Sequence, residues 1–445
     1  MLGIASGAVL VPLNSTMLAV ALPSVMETFG VDAATVASLV TLYLAAVAIA
    51  LPASGSLGDR FGHRRAFLIG VVGFAAASVL AASTTSFAIL ASARVLQAVT
   101  GALVSTSSTA LVRAEAPPSR QGAAFGLFDM LVSIAAAIGP LVGGLVVVAV
   151  GWRGLFLLAV PVAAIAVTTV GWLARPRLVE AGATTTPRPV DLSGLALLAI
   201  TLVAALLAIR GPLDGGLGSA AAVAVIPLAI VFVAVELRAD HPAVDPRLLG
   251  SRPFAAALFG VFGMTVVLHG CFLVVPLLVE RLQSGSPTTA GLVLLGISAL
   301  WGFVAPLGGR LSDRVGRRRP AVVGGMATAI GLAVLWQVAP SVSTVVLGGL
   351  LALVGLGMGL SGSPRQAAAM EVVGADRLGM AAGTYYTGRY LGGVVGASLA
   401  GAVLGSSVTA EGVMTVFGLL AIAAVAVTVA SVGLPTARST TRTSR

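Results

Sequence analysis

Long apolar stretches alternate with short polar segments along the whole chain. Apolar runs of about 18 residues or more recur from end to end, and a run of this length can cross a bilayer as an α-helix. Cutting the chain at its charged and Gly/Pro-rich segments therefore predicts about fourteen helical spans. They lie near residues 3–26, 35–54, 66–83, 87–111, 122–149, 154–174, 192–209, 219–235, 253–279, 288–308, 320–339, 343–363, 379–404 and 412–434. The long polar segments 174–191 and 236–253 bracket the seventh and eighth spans.

The composition indicates an integral membrane protein of the all-α class. The mean hydropathy is +1.05, 58% of the residues are hydrophobic and only 9% are charged, which is far from the balance of a soluble domain. The single cysteine, Cys271, excludes a disulfide framework or a cysteine zinc cluster, and we expect no metal or other cofactor. The first span lacks a positively charged leader, so we expect it to be retained rather than cleaved.

The positive charge of the chain predicts its orientation rather than a nucleic-acid partner. All 26 basic residues are arginines, the net charge is +10, and most arginines fall in loops instead of along one helix face. With the N-terminus inside, twenty arginines fall in one set of loops and the C-terminal tail, and three fall in the other set. This asymmetry predicts a protein of the cell membrane with both termini in the cytoplasm.

A charged phrase occurs twice and indicates an internal repeat. GSLGDRFGHRR (55–65) and GRLSDRVGRRR (309–319) lie 254 positions apart, each after the second span of a six-span unit. At the same offset, GPLVGG (139–144) corresponds to GVVGAS (393–398). Such duplication is typical of secondary transporters. We therefore predict a six-span N-terminal bundle (1–174), a linker with two extra spans (175–252), a six-span C-terminal bundle (253–434) and a short basic cytoplasmic tail (435–445).

The ordered set of motifs resembles the major facilitator superfamily, and within it the fourteen-span drug:proton antiporters. The charged phrases are similar to its G-x-L-[SA]-D-R-x-G-R-[RK] loop motif, and AIGPLVGG (137–144) is similar to its antiporter motif. LNSTMLAVALP (13–23), Arg94 with Gln97, and GWRGLF (151–156) resemble signatures of the first, fourth and sixth spans. The resemblance implies two six-helix bundles with two extra central spans. Asn14 departs from the family, which has an acid at this position.

The loop motif and the antiporter motif are expected to control conformation. An aspartate at the end of a span can pair with arginines and face the positive end of a neighbouring helix, so that one state is favoured until the pairing breaks. Plain positive-inside anchoring would need neither the acid nor the glycines. The small residues and the proline of the antiporter motif allow close packing and a bend. The predicted latch consists of Gly55, Asp59, Arg60, Gly62, Arg64, Gly309, Asp313, Arg314, Gly316 and Arg318, and the antiporter motif of Gly139, Pro140, Gly143 and Gly144.

Ionisable residues inside the spans are the candidates for proton coupling. Asp129 is predicted roughly 12 Å inside the fifth span, at 1.5 Å per residue, and an acid at that depth is functional by default. Its alternative role is a structural partner for an arginine. Arg94 and His269 join it as coupling candidates, although a lone histidine can simply be hydrogen-bonded. Arg365 is expected to snorkel. Residues expected to line the substrate cavity are Asn14, Tyr43, Gln97, Trp301, Tyr386 and Arg389.

Together these features favour a proton-driven exporter of amphipathic organic compounds, drug-like or antibiotic, that works by alternating access. Apolar walls with few polar groups suit such cargo better than they suit sugars. The alternative is a proton-coupled importer or facilitator of a small metabolite, which the neutral Asn14 supports. An enzyme is not expected, because the sequence shows no nucleophile–base pair. The expected partners are a small-molecule substrate, protons and the lipid bilayer, with no nucleic acid, and we expect a monomer.

Overall fold

The regular structure of the protein is helical. The computed structural model describes residues 2–115, 121–172, 191–210, 217–239, 242, 244–373, 378–405 and 407–436, and no strand occurs among them. The α-helices are α1 (Leu2–Met17), α2 (Leu22–Phe29), α3 (Ala33–Phe61), α4 (His63–Ser83), α5 (Phe87–Glu115), α6 (Gln121–Val150), α7 (Arg153–Leu157), α8 (Ala159–Trp172), α9 (Leu192–Arg210), α10 (Leu217–Glu236), α11 (Arg252–Leu277), α12 (Pro287–Val315), α13 (Arg318–Val338), α14 (Thr344–Glu371), α15 (Leu378–Leu404) and α16 (Ala410–Ala430).

Twelve helical segments in the described part of the chain are long and apolar enough to cross a membrane, so the protein is a multi-pass membrane protein. Several of these spans are built from more than one helical segment. A 3₁₀ turn at Leu18–Ala21 joins α1 to α2, and a π-turn at Leu278–Leu282 ends the span of α11. The prediction of about fourteen spans also included α9 and α15, which form long helices but are not among the twelve. The helix α15 carries Arg389 among three tyrosines, which lowers its hydropathy.

The turns of the two charged phrases have the same backbone geometry. Gly62 separates α3 from α4 with φ = 89°, and Gly316 separates α12 from α13 with φ = 87°. Such φ values are strained for residues with a Cβ, which explains why both copies need glycine at this point. We call the end of the molecule that holds these two turns the arginine-rich end. The arginine-poor end holds the α2–α3 turn and the beginning of α12.

The helices before and after α9–α10 pack in the same pattern. In the first group, α3 and α4 both pack on α5, α1 packs on α6 and α8, and α4 packs on α8. In the second group, α12 and α13 pack on α14, α11 packs on α15 and α16, and α13 packs on α16. Each pairing in the first group has a counterpart in the second group when the helices are matched by the repeat in the sequence. The duplication therefore extends from the motifs to the arrangement of the helices.

The two groups meet along two seams, α3 against α15 and α6 against α12. Among the described side chains, the polar contacts that join the groups all lie at the arginine-poor end. Arg281 forms an ion pair with Glu27 at 3.2 Å, and Thr288 Oγ1 donates to the carbonyl of Gly144 at 3.3 Å. Arg281 also donates to the carbonyl of Pro23 at 3.5 Å. The structure is thus closed at the arginine-poor end.

Helices α9 and α10 pair with each other beside one seam. Leu198 and Leu202 of α9 lie in an apolar cluster with Tyr43 of α3 and Val394 of α15, so α9 covers the α3–α15 seam. Only 6% of the residues in the apolar stretch of α10 are buried in the protein, so this helix faces lipid. The two extra helices are therefore peripheral and attached on one side.

The α6–α12 seam depends on glycines that let backbones meet. A Cβ at Gly291 of α12 would overlap the carbonyl oxygen of Pro140, and a Cβ at Gly144 would lie 2.5 Å from the carbonyl oxygen of Pro287. Backbone approaches this close need small residues on both sides. Gly302, on the same helix as Gly291, has an ordinary 3.9 Å clearance from the Cβ of Ala137. It offers a matched control.

We predict that Gly291→Ala opens the arginine-poor end, because its methyl group displaces α12 from α6. The reporter is a cysteine at Ala37, which is buried at the other seam against Gly401, in a Cys271→Ala background. Labelling of this cysteine by a membrane-impermeant maleimide should become several-fold faster in Gly291→Ala, and should be unchanged in Gly302→Ala. Equal labelling rates in the two variants would show that the Gly291 contact does not hold the seam closed.

Candidate functional site

A buried polar cluster lies inside the first helix group. Arg94 of α5 donates through Nη1 to Asn14 Oδ1 at 2.6 Å and to Gln97 Oε1 at 2.8 Å. Gln97 Nε2 in turn donates to Ser78 Oγ at 2.7 Å. The guanidinium carbon of Arg94 lies 4.2 Å from the ring centroid of Tyr43, a cation–π contact. We call these five residues the Arg94 cluster. The structure thus brings together three predicted cavity residues, Asn14, Tyr43 and Gln97, with the coupling candidate Arg94.

The Arg94 cluster contains a charge without a counter-charge. Arg94 is only 1% exposed, and its hydrogen-bond acceptors among the described residues are neutral amides. Its Nε and the hydroxyl of Tyr43 are buried and have no hydrogen-bond partner among the described residues. Burying a cation in this way is costly, since amides compensate the charge only in part. The cluster therefore stores an uncompensated positive charge beside the α3–α15 seam.

Asp129 lies on a different level of the first group. The residue is in α6, but its side chain lies outside the described part. Eight residues separate it from the beginning of α6 at the arginine-rich end, or roughly 12 Å, whereas Arg94 is roughly 10 Å from the arginine-poor end of α5. In helices of 29 and 30 residues, the two levels differ by roughly 20 Å. This separation leaves Asn14, rather than Asp129, as the partner of Arg94.

The second group presents a cation on an aromatic surface near the middle of the membrane. The guanidinium carbon of Arg389 in α15 lies 5.5 Å from the ring centroid of Trp301, at the midpoint of α12. One helical turn before Arg389, Tyr386 accepts a hydrogen bond at 3.2 Å from Gln366 of α14. Arg389, Trp301 and Tyr386 are all partly exposed. We call these four residues the Arg389 cluster, which contains the three remaining predicted cavity residues.

His269 is packed between helices at the α3–α15 seam. Its Nδ1 lies 3.1 Å from the carbonyl oxygen of Thr265, so Nδ1–H is the donor in this contact. A Cβ added at Gly393 would lie 2.9 Å from His269 Nδ1 and 2.8 Å from Leu44. His269 is therefore held by its own helix and covered by α15, next to the place where the two groups meet.

The antiporter motif lies where α6 contacts two other helices. A Cβ at Gly143 would lie 2.8 Å from the carbonyl oxygen of Met17 in α1, and a Cβ at Gly139 would overlap Thr16. On the opposite face, Gly144 and the carbonyl of Pro140 contact α12 of the second group. The motif thus places its small residues on both faces of one helix, which lets α6 link the core of its own group to the seam.

The first latch copy lies at the end of α3 and the beginning of α4. Gly55 and Arg60 lie in the last turns of α3, with Arg60 exposed beside Phe61, and the side chain of Asp59 is outside the described part. Arg64 donates to the carbonyl oxygens of Val170 at 3.2 Å and Gly171 at 2.6 Å. These carbonyls belong to the last turn of α8, where a cation is favoured. Arg64 therefore ties the beginning of α4 to the end of α8.

The second latch copy forms an ion-pair network around a residue that the motif did not single out. Arg317 donates to Asp313 Oδ1 at 2.7 Å and to Glu371 Oε1 at 2.6 Å, and also to Ser312 Oγ at 2.6 Å. The hydrogen bond with Glu371 raises the pKa of the Arg317 guanidinium above its ordinary value. Glu371 ends α14, so the network joins the arginine-rich ends of α12 and α14.

The other members of the second copy have different positions. Gly309 lies in α12 beside Ser363, Gly316 forms the turn, and Arg314 is exposed. Arg318 begins α13, and its backbone N–H donates to the carbonyl of Pro435 at 3.1 Å. The partner of Asp313 is therefore Arg317, which corresponds to His63 in the first copy.

The expectation that Arg365 snorkels is wrong. Its side chain is 1% exposed and turns into the second group. Nη1 donates to Ser361 Oγ at 2.8 Å and Nη2 donates to Ser431 Oγ at 3.2 Å. Nη2 also donates to the carbonyl of Ala321 at 3.3 Å. The hydroxyl group of Ser361, one turn earlier on α14, and that of Ser431, just after α16, are acceptors that hold the guanidinium inside the protein.

Sequence comparison relates the chain to transporters over most of its length. A sequence model described as the Major Facilitator Superfamily matches residues 4–397. The tetracenomycin C resistance and export protein of Streptomyces glaucescens is 31% identical over 417 residues, which are 92% of this chain and 76% of that protein. The multidrug resistance protein Stp of Mycobacterium tuberculosis is 31% identical over 410 residues, covering 91% and 75% of the two chains.

The fold is also found in solved structures. A crystal structure of a mutant of the peptide transporter POT superposes with a TM-score of 0.72, covering 97% of this chain and 93% of that chain at 19% sequence identity. A POT family transporter in complex with 5-aminolevulinic acid gives a TM-score of 0.69, with 96% and 94% of the chains covered at 16% identity. These similarities concern the fold alone.

Asn14→Asp is predicted to stabilise the protein. The new carboxylate would lie at the position of an amide oxygen 2.6 Å from Arg94, and charged partners strengthen a hydrogen bond by about 1–2 kcal/mol. The midpoint of thermal unfolding of the purified protein should rise. Asn14→Leu, which removes the acceptor, should lower it. A lower midpoint for Asn14→Asp, as for Asn14→Leu, would contradict the view that the charge of Arg94 is uncompensated.

Arg317→Ala is predicted to loosen the arginine-rich end of the second group. The change removes both ion pairs, and because the carboxylates are partly exposed and regain water, the loss should be about 1–2 kcal/mol. A fall in the midpoint of thermal unfolding measures it. Arg314→Ala, which removes an exposed arginine from the same phrase, is the control. Identical midpoints for the two variants would contradict a structural role for Arg317.

Proposed function

Because the chain belongs to the Major Facilitator Superfamily, we propose that it exports amphipathic organic compounds, drug-like or antibiotic, in exchange for protons by alternating access. Membership in this family of transporters also makes the chain a transporter rather than an enzyme. The names of the relatives support export: one is a tetracenomycin C resistance and export protein and another is a multidrug resistance protein. The proposal therefore assigns to this chain the transport of a small molecule across the bilayer.

One observation carries the proposal. Two helix groups with the same internal packing meet along two seams, and the polar contacts that join them among the described residues lie at the arginine-poor end. Two similar rigid groups that are joined at one end can rock against each other, which is the geometry of alternating access. Since arginine-rich loops face the cytoplasm, the closed end is the external one. In this state cargo would exchange with the cytoplasm, and an exporter loads its cargo in this state.

The architecture of the proposed exporter follows the repeat. Residues 1–174 and 253–434 form its two six-span bundles, and residues 175–252 add the two spans formed by α9 and α10, which brings the total to about fourteen spans. Residues 435–445 are a short basic cytoplasmic tail. The protein lies in the cell membrane as a monomer with both termini in the cytoplasm.

Proton coupling in this proposal depends on Asp129, with Arg94 and His269 in supporting positions. An acid inside a span is the usual proton carrier of a transporter. Arg94 supplies a positive charge in the same group, and His269 lies at the seam that must open and close. Because Asn14 is neutral, the proton site of the first span is missing, and Asp129 has to replace it.

The latch and the cavity complete the mechanism. Gly55, Asp59, Arg60, Gly62 and Arg64 would hold the arginine-rich end in one state, together with Gly309, Asp313, Arg314, Gly316 and Arg318, with Arg317 as the bridging cation of the second copy. Gly139, Pro140, Gly143 and Gly144 would let α6 move as a unit with α1. The cargo would be bound between the Arg94 cluster and the Arg389 cluster.

An importer or facilitator of a small metabolite is the second candidate. It is favoured by the Asn14–Arg94 hydrogen bond, which puts a neutral amide where an antiporter of this type carries an acid. The two functions differ in the direction of net transport. Cells that express the protein should be depleted of an exported compound and should accumulate an imported one, and growth on a panel of toxic compounds will show which occurs.

Asp129→Asn is predicted to abolish proton-coupled transport, because an amide cannot take up a proton at this site. The measurement is a pH-jump assay on reconstituted protein, in which proton movement and the flux of a compound found in the growth panel are recorded together. Glu411→Gln, an acid in the first turn of α16 at the arginine-poor end, is the control and should leave both unchanged. Full coupling in Asp129→Asn would remove this residue from the mechanism.

A further inference from the structure

The charges in the middle of the membrane are all positive among the described side chains. Arg94 and Arg389 lie well inside α5 and α15, whereas the acids whose side chains are described lie at helix ends or in loops, among them Glu27, Asp313 and Glu371. A cation in the centre of a membrane protein needs a partner or access to water. The partner of a transporter's central cations can be the transported compound itself.

Arg389 has the exposure that a ligand contact requires. Eleven residues separate it from the arginine-rich end of α15, so it lies roughly 16 Å deep in a helix about 40 Å long. Its side chain is partly exposed, and no hydrogen bond or ion pair engages its guanidinium among the described residues. The guanidinium carbon lies 5.5 Å from the ring centroid of Trp301, and the guanidinium N–H groups are available for an oxyanion.

The surroundings of Arg389 suit an aromatic or apolar body attached to the anion. Trp301 supplies an indole surface, and the phenol ring of Tyr386 is fixed by Gln366 and packs edge-on against Tyr385 at 6.0 Å. Aromatic rings that are held in place bind planar apolar groups with little loss of side-chain freedom. A guanidinium beside such rings therefore matches an organic acid better than it matches a small inorganic anion.

Arg94 adds a second positive charge on the other side of the α3–α15 seam. It stacks on Tyr43, which lies in one apolar cluster with Tyr390 and Val394 of α15. Tyr390 directly follows Arg389 in the sequence. Because Asn14 and Gln97 do not neutralise Arg94, its field extends toward the region between the two clusters. An amphipathic cation entering this region would meet two uncompensated guanidinium groups, whereas an anion would be attracted by both.

We infer that the cargo is an amphipathic organic anion, a carboxylate on an aromatic body, and that Arg389 binds its carboxylate while Trp301 and Tyr386 hold its rings. This inference rests on the proposed function, since it names the chemical class that the exporter carries. Arg94 acts from the opposite group as a positioning charge. The neutral residue at position 14 then has a function, because an acid there would cancel the charge that attracts the cargo.

The test compares three probes of nearly equal shape: 2-naphthylacetic acid, its methyl ester and 2-naphthylethylamine. Binding to the purified full-length protein in lipid nanodiscs is followed by quenching of tryptophan fluorescence. The acid is expected to bind at least tenfold more tightly than the ester or the amine, which corresponds to about 1.4 kcal/mol. Arg389→Gln should remove this preference, and Arg389→Lys should restore part of it. Arg319→Gln, an exposed arginine at the arginine-rich end, is the control and should not change it.

Two further variants separate anion binding from other roles. Asp129→Asn should keep the preference for the acid, since Asp129, the proposed proton carrier, is not among the groups that bind the anion. Arg94→Lys keeps the charge in the buried cluster and should retain the preference, whereas Asn14→Asp should weaken it several-fold by neutralising Arg94. Equal binding of acid and ester, tighter binding of the amine, or an acid preference that survives Arg389→Gln would each overturn the inference.

The outcomes also distinguish this inference from the proposed function. If cells are depleted of neutral or cationic compounds while the naphthyl acid shows no preference, export stands and anion recognition fails. If the acid binds through Arg389 but accumulates in cells that express the protein, anion recognition stands and export fails.

Discussion

A charge in the interior of a membrane protein has to be compensated, and this constraint explains the most informative parts of the structure. Only 9% of the residues are charged, and most lie at helix ends, where water and loop carbonyls are available. The buried exceptions use different solutions. Arg365 is surrounded by serine hydroxyls and a backbone carbonyl, whereas Arg94 has two amides and an aromatic face. Arg389 has an aromatic face alone, and the degree of compensation thus falls from the structural arginine to the exposed one.

The seams between the two helix groups follow a second constraint, the absence of a hydrophobic driving force between helices in lipid. Association then depends on close backbone contact and on a few polar contacts. Gly144 and Gly291 provide the backbone contact, and Arg281 with Glu27 provides the ion pair. Buried apolar side chains of both groups, among them Leu22 and Val275, also belong to one shared cluster. Separating the groups at this end must therefore separate these side chains as well.

The sequence predicted those features that are written in local patterns. Apolar runs located the helices, and helices that are related by the offset of 254 positions between the charged phrases have corresponding contacts in the two groups. The repeated glycines of the two phrases were visible in the sequence. At Gly62 and Gly316 the structure gives a reason for the glycine, because both residues have nearly equal positive φ angles. Family membership was also correct, because the motifs occur in order along the chain.

What the sequence could not supply are contacts between distant segments. Ser78, which completes the Arg94 cluster, lies 19 positions from its partner Gln97, and a serine in an apolar span has no pattern that reveals such a role. Glu371 reaches Arg317 across 54 positions, so the motif alone suggested neighbouring arginines instead. Arg365 was expected at the surface because its acceptor Ser431 lies 66 positions away, and nothing in the sequence marks Ser361, one helical turn before it, as a second acceptor. The one-sided attachment of α9 has a consequence for the bilayer itself. Helix α9 shields the α3–α15 seam from lipid, whereas the described residues place no helix over the α6–α12 seam. When the two groups rock, only the α6–α12 seam is therefore exposed to the acyl chains of the membrane. The lateral pressure of the membrane therefore acts on this twofold molecule asymmetrically, and lipid thickness or saturation should bias its conformational equilibrium through α6 and α12.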